Sequence, residues 1–341
     1  MPNMTRRNSL PLVRLSLALP LLHALNDRGV TPTHALARLG LTVADLRNGD
    51  LFVTAPKMYE LVEALAAISG DRYFGFHVGE QLDPFSWSPL RNAVSRSHTV
   101  GEVLLRFMED AEGDASSVDY TLTARGRHTT FREKRLVDGG ITPSHNDGFT
   151  VAYLLTIIRR AMGEQWKDES VVIHVCDPEV IPVEGRRLRV AKQDTLGASI
   201  TFPSAWLLAS LAPQAARASR AENPPASPPS SMVDSFREAI APHIDEFDMS
   251  LARAAEICGM STRSLARRMK RNDTTVQKEL DALRRSRAEH ALLHGNEPIR
   301  EIAASVGYAD PTVFSRAFKR WTGVTPSVYR RSESGNDPGV S

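Results

Sequence analysis

Only two cysteines, Cys176 and Cys258, occur among the 341 residues, and they lie far apart. That scarcity excludes a disulfide-framed fold and suits the reducing cytoplasm. No apolar run approaches the roughly 20 residues that cross a bilayer, so no membrane partner is expected. Arg6 and Arg7 ahead of the apolar stretch Leu10 to Leu25 imitate a secretion signal. Arg14 interrupts that stretch and no small-x-small cleavage site follows it, so a helix packed on a domain is expected there. The net charge is only +2, which excludes an overwhelming basic field, so any affinity for nucleic acid must be local. Catalytic signatures are also missing. There is no GxxxxGK[ST] phosphate loop, no GxSxG nucleophile elbow and no HExxH metal helix, and acidic pairs are scattered without a frame. His290 and His294, four apart, are half a metal site at most; solvated surface histidines are the alternative. His174 and Cys176 fall on one face of an expected strand, one in the core and the other incidental. No enzyme activity, cofactor or metal is expected.

What is present is a repeated helical unit. Glu301 to Arg331 reads EIAASVGYADPTVFSRAFKRWTGVTPSVYRR. Ile302, Ala303 and Val306 form an apolar helical face, Gly307 stops the helix, and a turn passes Tyr308 and Asp310. A second helix follows, with Phe314, Phe318 and Trp321 on one side and Arg316, Lys319 and Arg320 on the other. A short helix, a glycine turn and a basic second helix are the sequence form of a helix-turn-helix. The same unit stands upstream. Leu251, Ala255 and Gly259 precede Ile299, Ala303 and Gly307 by 48 positions, and Leu265, Arg267, Met269, Lys270 and Arg271 precede Phe314, Arg316, Phe318, Lys319 and Arg320 by 49. One extra residue in the second turn accounts for the change of offset, and repetition at this length means one structural unit used twice.

The segment FSRAFKRWTGVTPSVYR, Phe314 to Arg330, closely resembles the signature of the AraC/XylS family of bacterial transcription regulators. The resemblance covers about residues 232–331. Upstream, LGLTVADL (Leu39 to Leu46), FGFHVGE (Phe74 to Glu80) and LGASITFPSAWL (Leu196 to Leu207) are similar to one effector-domain subgroup of that family, whose arabinose-binding-type domain is not a cupin barrel. The resemblance implies promoter DNA, RNA polymerase and a small-molecule effector of unstated identity as partners, a homodimer, and activation as the default mode. A first domain that mediates association and senses nothing is the alternative.

Composition divides the chain. A Pro/Ser/Ala-rich tract at 213–231 lacks apolar periodicity and reads as a semi-stiff linker. It separates a first domain, 1–212, from a second, 232–331, with a disordered tail at 332–341. In the first, Leu12, Leu15, Leu19 and Leu22 suit one helix ending near Gly29. Met58 to Ile68 suits a second, closed by Gly70, Val100 to Met108 a third, and Phe149 to Met162 a fourth. Val118 to Leu122 and Thr129 to Leu136 alternate across Arg125-Gly126-Arg127 as a hairpin, and Val171 to Val175 and Ala198 to Phe202 read as strands. Helices followed by a mixed or antiparallel sheet make an α+β domain. The second domain reads as all-α. It has an opening helix at Val233 to Ile244 and helix-turn-helix units at about 249–271 and 297–322. A helix at about 275–293 joins them, with Leu280, Leu283, Ala288, Ala291 and Leu292 on its buried side. Between Met232 and Arg331 there are 17 Lys and Arg against 13 Asp and Glu, so the positive bias lies with the repeat.

Recognition helices present their N-terminal half to base edges in the major groove. In the first unit this places Ser261, Thr262, Arg263 and Arg267 toward the bases. Leu265 and Met269 face inward, so Arg263 and Arg267 project together elsewhere, where arginine can grip guanine O6 and N7 in bidentate fashion. Two merely solvated arginines are the plainer reading. In the second unit Asp310 reads as an N-cap and Pro311 as the first helical residue. Thr312, Ser315 and Arg316 then face DNA with fewer donors, and the resemblance implies a backbone-anchoring role for Arg316. Lys270, Arg271, Lys319 and Arg320 read as phosphate contacts or as a solvated basic face. Gly259 and Gly307 are turn glycines.

Overall fold

The computed structural model describes residues 9–185, 187–211 and 227–334. They divide into two compact units, one within Pro11–Pro228 and one that joins residues 9–10 to 229–334. Leu10 groups with the second of these units. Leu10 is fully buried, and its N–H donates to Ser235 Oγ at 2.8 Å. The tract at 213–231 lies mostly outside the described residues.

The first unit combines helices and sheet. Its elements are β1 (Leu12–Arg14), α1 (Leu19–Asp27), α2 (Thr33–Arg38), α3 (Val43–Arg47), β2 (Phe52–Thr54), α4 (Ala55–Ser69), α5 (Phe74–Gln81), α6 (Ser88–Ser95), α7 (Val100–Asp110), β3 (Val118–Arg125), β4 (His128–Arg135), α8 (Ser144–Met162), β5 (Val172–Val175), β6 (Arg189–Lys192) and β7 (Ser199–Pro203). β1 and β2 pair alone; the other five strands form one sheet in the order β3-β4-β7-β5-β6, antiparallel except for β5 with β6. The mixed sheet agrees with the α+β reading.

The helix expected from Leu12 to Leu22 is a correction. Leu12–Arg14 is extended and paired with Phe52–Thr54, a 3-10 turn follows, and the α-helix starts at Leu19. The cause is non-local. Arg14 is buried, and its Nε donates to Asp114 Oδ1 at 2.6 Å, so the residue that breaks the apolar run anchors the strand. The hairpin turn is shorter than expected, because Arg125 pairs with His128 and leaves Gly126 and Arg127 as the loop. The fourth helix starts five residues earlier than periodicity indicates, at Ser144.

The family-like segments have local causes. In LGLTVADL, Thr42 and Asp45 form a capping box that starts α3. In FGFHVGE, Gly75 and Gly79 lie one turn apart against α8. A Cβ on Gly75 would sit 2.0 Å from the His145 carbonyl oxygen, and one on Gly79 would sit 2.5 Å from that of Phe149. Only glycine permits this approach of α5 to α8.

The second unit is helical: α9 (Met232–Ile240), α10 (Leu251–Ile257), α11 (Thr262–Arg271), α12 (Val276–His294), α13 (Ile299–Ser305), α14 (Pro311–Thr322) and α15 (Pro326–Ser334). α9 ends four residues short of expectation, with a 3-10 turn through Pro242, because proline interrupts helical hydrogen bonding. α15 was not foreseen and runs three residues into the expected tail; the rest of that tail lies outside the described residues. The sequence offsets reappear in the helices. α10 and α13 begin 48 positions apart, and α11 and α14 begin 49 apart. On α12 the buried stripe is Leu280, Arg284, Ala288 and Leu292. Arg284 takes the inner position expected of Leu283, which is half-buried.

Candidate nucleic-acid interface

α11 begins where local chemistry tells it to. Gly259 at φ +62° turns the chain out of α10. Ser261 then caps α11, accepting the Ser264 N–H at 3.2 Å while its own hydroxyl donates to Ser264 Oγ at 3.0 Å. Ser261, expected at the bases, is thus committed to its own helix. Leu265 and Met269 are fully buried, and Thr262, Arg263, Arg267, Lys270 and Arg271 are exposed. Among the described residues neither Arg263 nor Arg267 has a carboxylate within ion-pair distance. Two unneutralised guanidiniums four residues apart on one helical face can grip a base edge or two phosphates.

α14 is built by the same logic with different residues. Gly307 at φ +77° makes the turn, and Phe314 and Phe318 fill the places of Leu265 and Met269 with no exposed surface. Asp310 is the N-cap, accepting the Thr312 N–H at 2.7 Å, with Pro311 first in the helix. That N–H holds the Asp310 carboxyl below its usual range. A charged carboxylate therefore stands at the N-terminal end of α14. Thr312, Arg316 and Lys319 are exposed. Ser315 is half-buried and donates back to the Pro311 carbonyl at 2.8 Å, and Arg320 Nη2 is paired with Asp281 Oδ2 at 3.0 Å. Of the four expected phosphate contacts, Lys270, Arg271 and Lys319 are uncommitted among the described residues and Arg320 is not.

The positioning residues escaped the sequence reading. Arg253 grips Glu246 through Nε at 2.7 Å and Nη2 at 3.0 Å, and Glu256 through Nη1 at 3.0 Å. His243 Nδ1 lies 2.7 Å from the same Glu246. The Arg253 hydrogen bonds, with help from His243, hold the Glu246 carboxyl below its usual range. Arg237 ties α9 to Glu279 on α12 at 2.7 Å. Arg284, nearly buried, lies 5.2 Å over the Tyr308 ring at the second turn. The four-residue spacing Leu280, Arg284, Ala288, Leu292 was the available signal for it. His290 and His294 have rings 4.6 Å apart and both are exposed. Cys176 lies one residue past the end of β5, so it does not share a strand face with His174; it is buried, its N–H donates to Asp147 Oδ2 at 2.8 Å, and burial pushes its thiol up. No cluster of three metal-binding side chains occurs among the described residues, and no helix there is long and apolar enough to cross a membrane.

Comparison with known proteins agrees with this geometry. The family described as a helix-turn-helix domain matches residues 254–332. The family described as the arabinose-binding domain of AraC transcription regulator, N-terminal, matches residues 29–182. The ornithine utilization regulator of Pseudomonas aeruginosa is 40% identical over 82 residues, 24% of each chain. The raffinose operon transcriptional regulatory protein of Pediococcus pentosaceus is 45% identical over 60 residues, 18% of this chain and 22% of that one. Each match thus spans about a quarter of the relative's own length. The crystal structure of the transcriptional regulator CdpR from Pseudomonas aeruginosa overlaps 93% of this chain and 98% of its own, at 17% identity and a TM-score of 0.41. With both family matches in the order and places where the two units stand, the chain belongs to the AraC family of DNA-binding transcription regulators, with an N-terminal domain of the arabinose-binding type.

Proposed function

We propose that the protein is a ligand-responsive, one-component activator. In this reading α11 and α14 are the recognition helices of two helix-turn-helix units at 249–271 and 297–322. The reading rests on one observation: two exposed arginines, Arg263 and Arg267, without an ion pair among the described residues, on the outer face of a capped helix whose inner face is buried. α11 reads bases through Arg263, Arg267 and Thr262. α14, with Asp310 and Pro311 at its start, contributes Thr312 and Arg316 and chiefly holds backbone. Lys270, Arg271 and Lys319 neutralise phosphate. α12, at 1.5 Å per residue, is about 28 Å long, close to the rise of about 34 Å between major-groove segments on one face of DNA. It sets the distance between the two recognition helices. The first unit senses a small molecule and brings two copies together, so that the bound dimer contacts RNA polymerase.

Footprinting of the full-length protein on its own promoter region tests this. Each copy should protect about two helical turns, and a dimer two such sites as direct or inverted repeats. Protection confined to a single groove segment per copy would remove α14 from the reading.

A further inference from the structure

A half-open cavity of about 80 Å³ lies inside the first unit between α1, α4, α8 and the β3–β4 hairpin. Its wall is aromatic: Tyr59, Trp87, Tyr120, Phe149 and Tyr153 line it, with Trp87, Phe149 and Tyr153 in mutual ring contact at 5.1–5.5 Å. Ordinary core residues leave few polar atoms unpaired. Here four lining residues carry buried polar atoms without a hydrogen-bond partner: Tyr59 Oη, Trp87 Nε1, Ser117 Oγ and Glu133 Oε1. Among the described residues Glu133 is the only Asp, Glu, Lys, Arg or His side chain in the lining, and it is 4% exposed.

The charge count around Glu133 decides what fits. Its register on β4 puts it on the same face as Arg135, and its Oε1 lies 3.5 Å from Arg135 Nη2, too far for a strong hydrogen bond. That nitrogen is already bonded to Asp147. One guanidinium thus serves two buried carboxylates, and when both are ionised the cluster keeps one uncompensated negative charge in a low-dielectric site. Burial pushes the Glu133 carboxyl above its usual range, against the pull of Arg135. Glu133 Oε2 accepts from the Thr150 hydroxyl at 3.3 Å and from the Tyr120 hydroxyl at 3.5 Å; among the described residues Oε1 has the long Arg135 ion pair and no hydrogen-bond donor.

We infer that this cavity binds a small organic cation, an amine on an apolar or aromatic body, with its nitrogen at Glu133 and its body among the aromatic rings. The inference rests on the reading of the first unit as a sensor and names the chemistry of its ligand. An ammonium neutralises the buried carboxylate and gains from aromatic faces around it. A carboxylate ligand would face Glu133 with no free cation in the lining, and a neutral one would leave the excess charge in place.

The test is calorimetric titration of the full-length protein with 2-phenylethylamine, 2-phenylethanol and 3-phenylpropionate, probes of similar size with cationic, neutral and anionic heads. The amine should bind at least about tenfold more tightly than the alcohol, and the anion should bind weakest. Binding of the amine should change tryptophan fluorescence, and Trp87→Phe should cancel that change. Glu133→Gln should remove the amine's advantage over the alcohol; should that variant not fold, the order of the three probes on the wild-type protein decides. Anion binding as tight as amine binding, or no heat with the amine at millimolar concentration, overturns the inference. Operator retention by the same preparation tests the regulator reading separately: it survives failure of the amine, and its own failure leaves the titration result standing.

Discussion

Arg320 on α14 reaches across to Asp281 on α12, Nη2 standing 3.0 Å from Oδ2. Both ends are partly solvated, so the pair contributes little stability. Its consequence is electrostatic. It neutralises one of the two cations at the end of α14 and leaves Lys319 as the one without a carboxylate partner among the described residues.

Salt dependence reads this directly. Each phosphate contact adds about 0.9 to the slope of log affinity against log salt. Lys319→Ala should lower that slope by about one contact, and Arg320→Ala by less. Asp281→Ala should release Arg320 and raise affinity for random DNA. Equal slopes for the Lys319 and Arg320 variants would contradict the pairing's role.

Arg263 and Arg267 should act differently from Lys270. Replacing either arginine by alanine is expected to cost about 1–3 kcal/mol on operator DNA and to relax preference at one or two base pairs. Lys270→Ala should weaken operator and random DNA alike. Fluorescence anisotropy on both duplexes distinguishes the cases, and an arginine variant that loses equally on the two would be a phosphate contact.

The turn glycines give a stability test. Gly307 is at φ +77°, and a Cβ there would lie 2.8 Å from the carbonyl oxygens of Ile244 and Glu246; Gly323, at φ +84°, has nothing within 4 Å. Gly323→Ala should cost the backbone strain alone, about 1–2 kcal/mol. Gly307→Ala adds a clash with backbone that has no room to move, so it should melt at a clearly lower temperature than Gly323→Ala by circular dichroism. Identical melting points would show that the loop at 244–246 gives way.

Glu63 carries a pH signature. Its carboxylate accepts the His145 N–H at 2.8 Å, yet burial pushes its pKa up to about 7 from 4.5. Between those values the folded chain holds a proton that the unfolded chain has released, so this group's contribution to stability is lost as pH rises through the window. Glu63→Gln should flatten the difference in urea midpoint between pH 5 and pH 7. A wild-type and variant pair with parallel pH profiles would place the titration elsewhere.

Periodicity and turn chemistry by themselves determined the helical second unit, the glycine turns, the 48- and 49-residue offsets and which faces of α11 and α14 are buried. These are local properties: helix burial follows a 3.6-residue period, and a left-handed turn needs glycine within a few residues. Local patterning also located α4, α7 and the β3–β4 hairpin. Tertiary structure decided what depends on partners distant in sequence. Leu12–Arg14 is a strand because Phe52–Thr54 and Asp114 meet it there. Arg284 lies inside α12's buried stripe because Tyr308 offers it a ring. Arg320 is neutralised by a carboxylate 39 positions away. Glu133 is the clearest case. Alternation placed a strand over it, but only the packed helices and the shared Arg135 leave that carboxylate buried with one oxygen lacking a hydrogen bond among the described residues, because desolvation and competition for a single guanidinium exist only once the chain has folded.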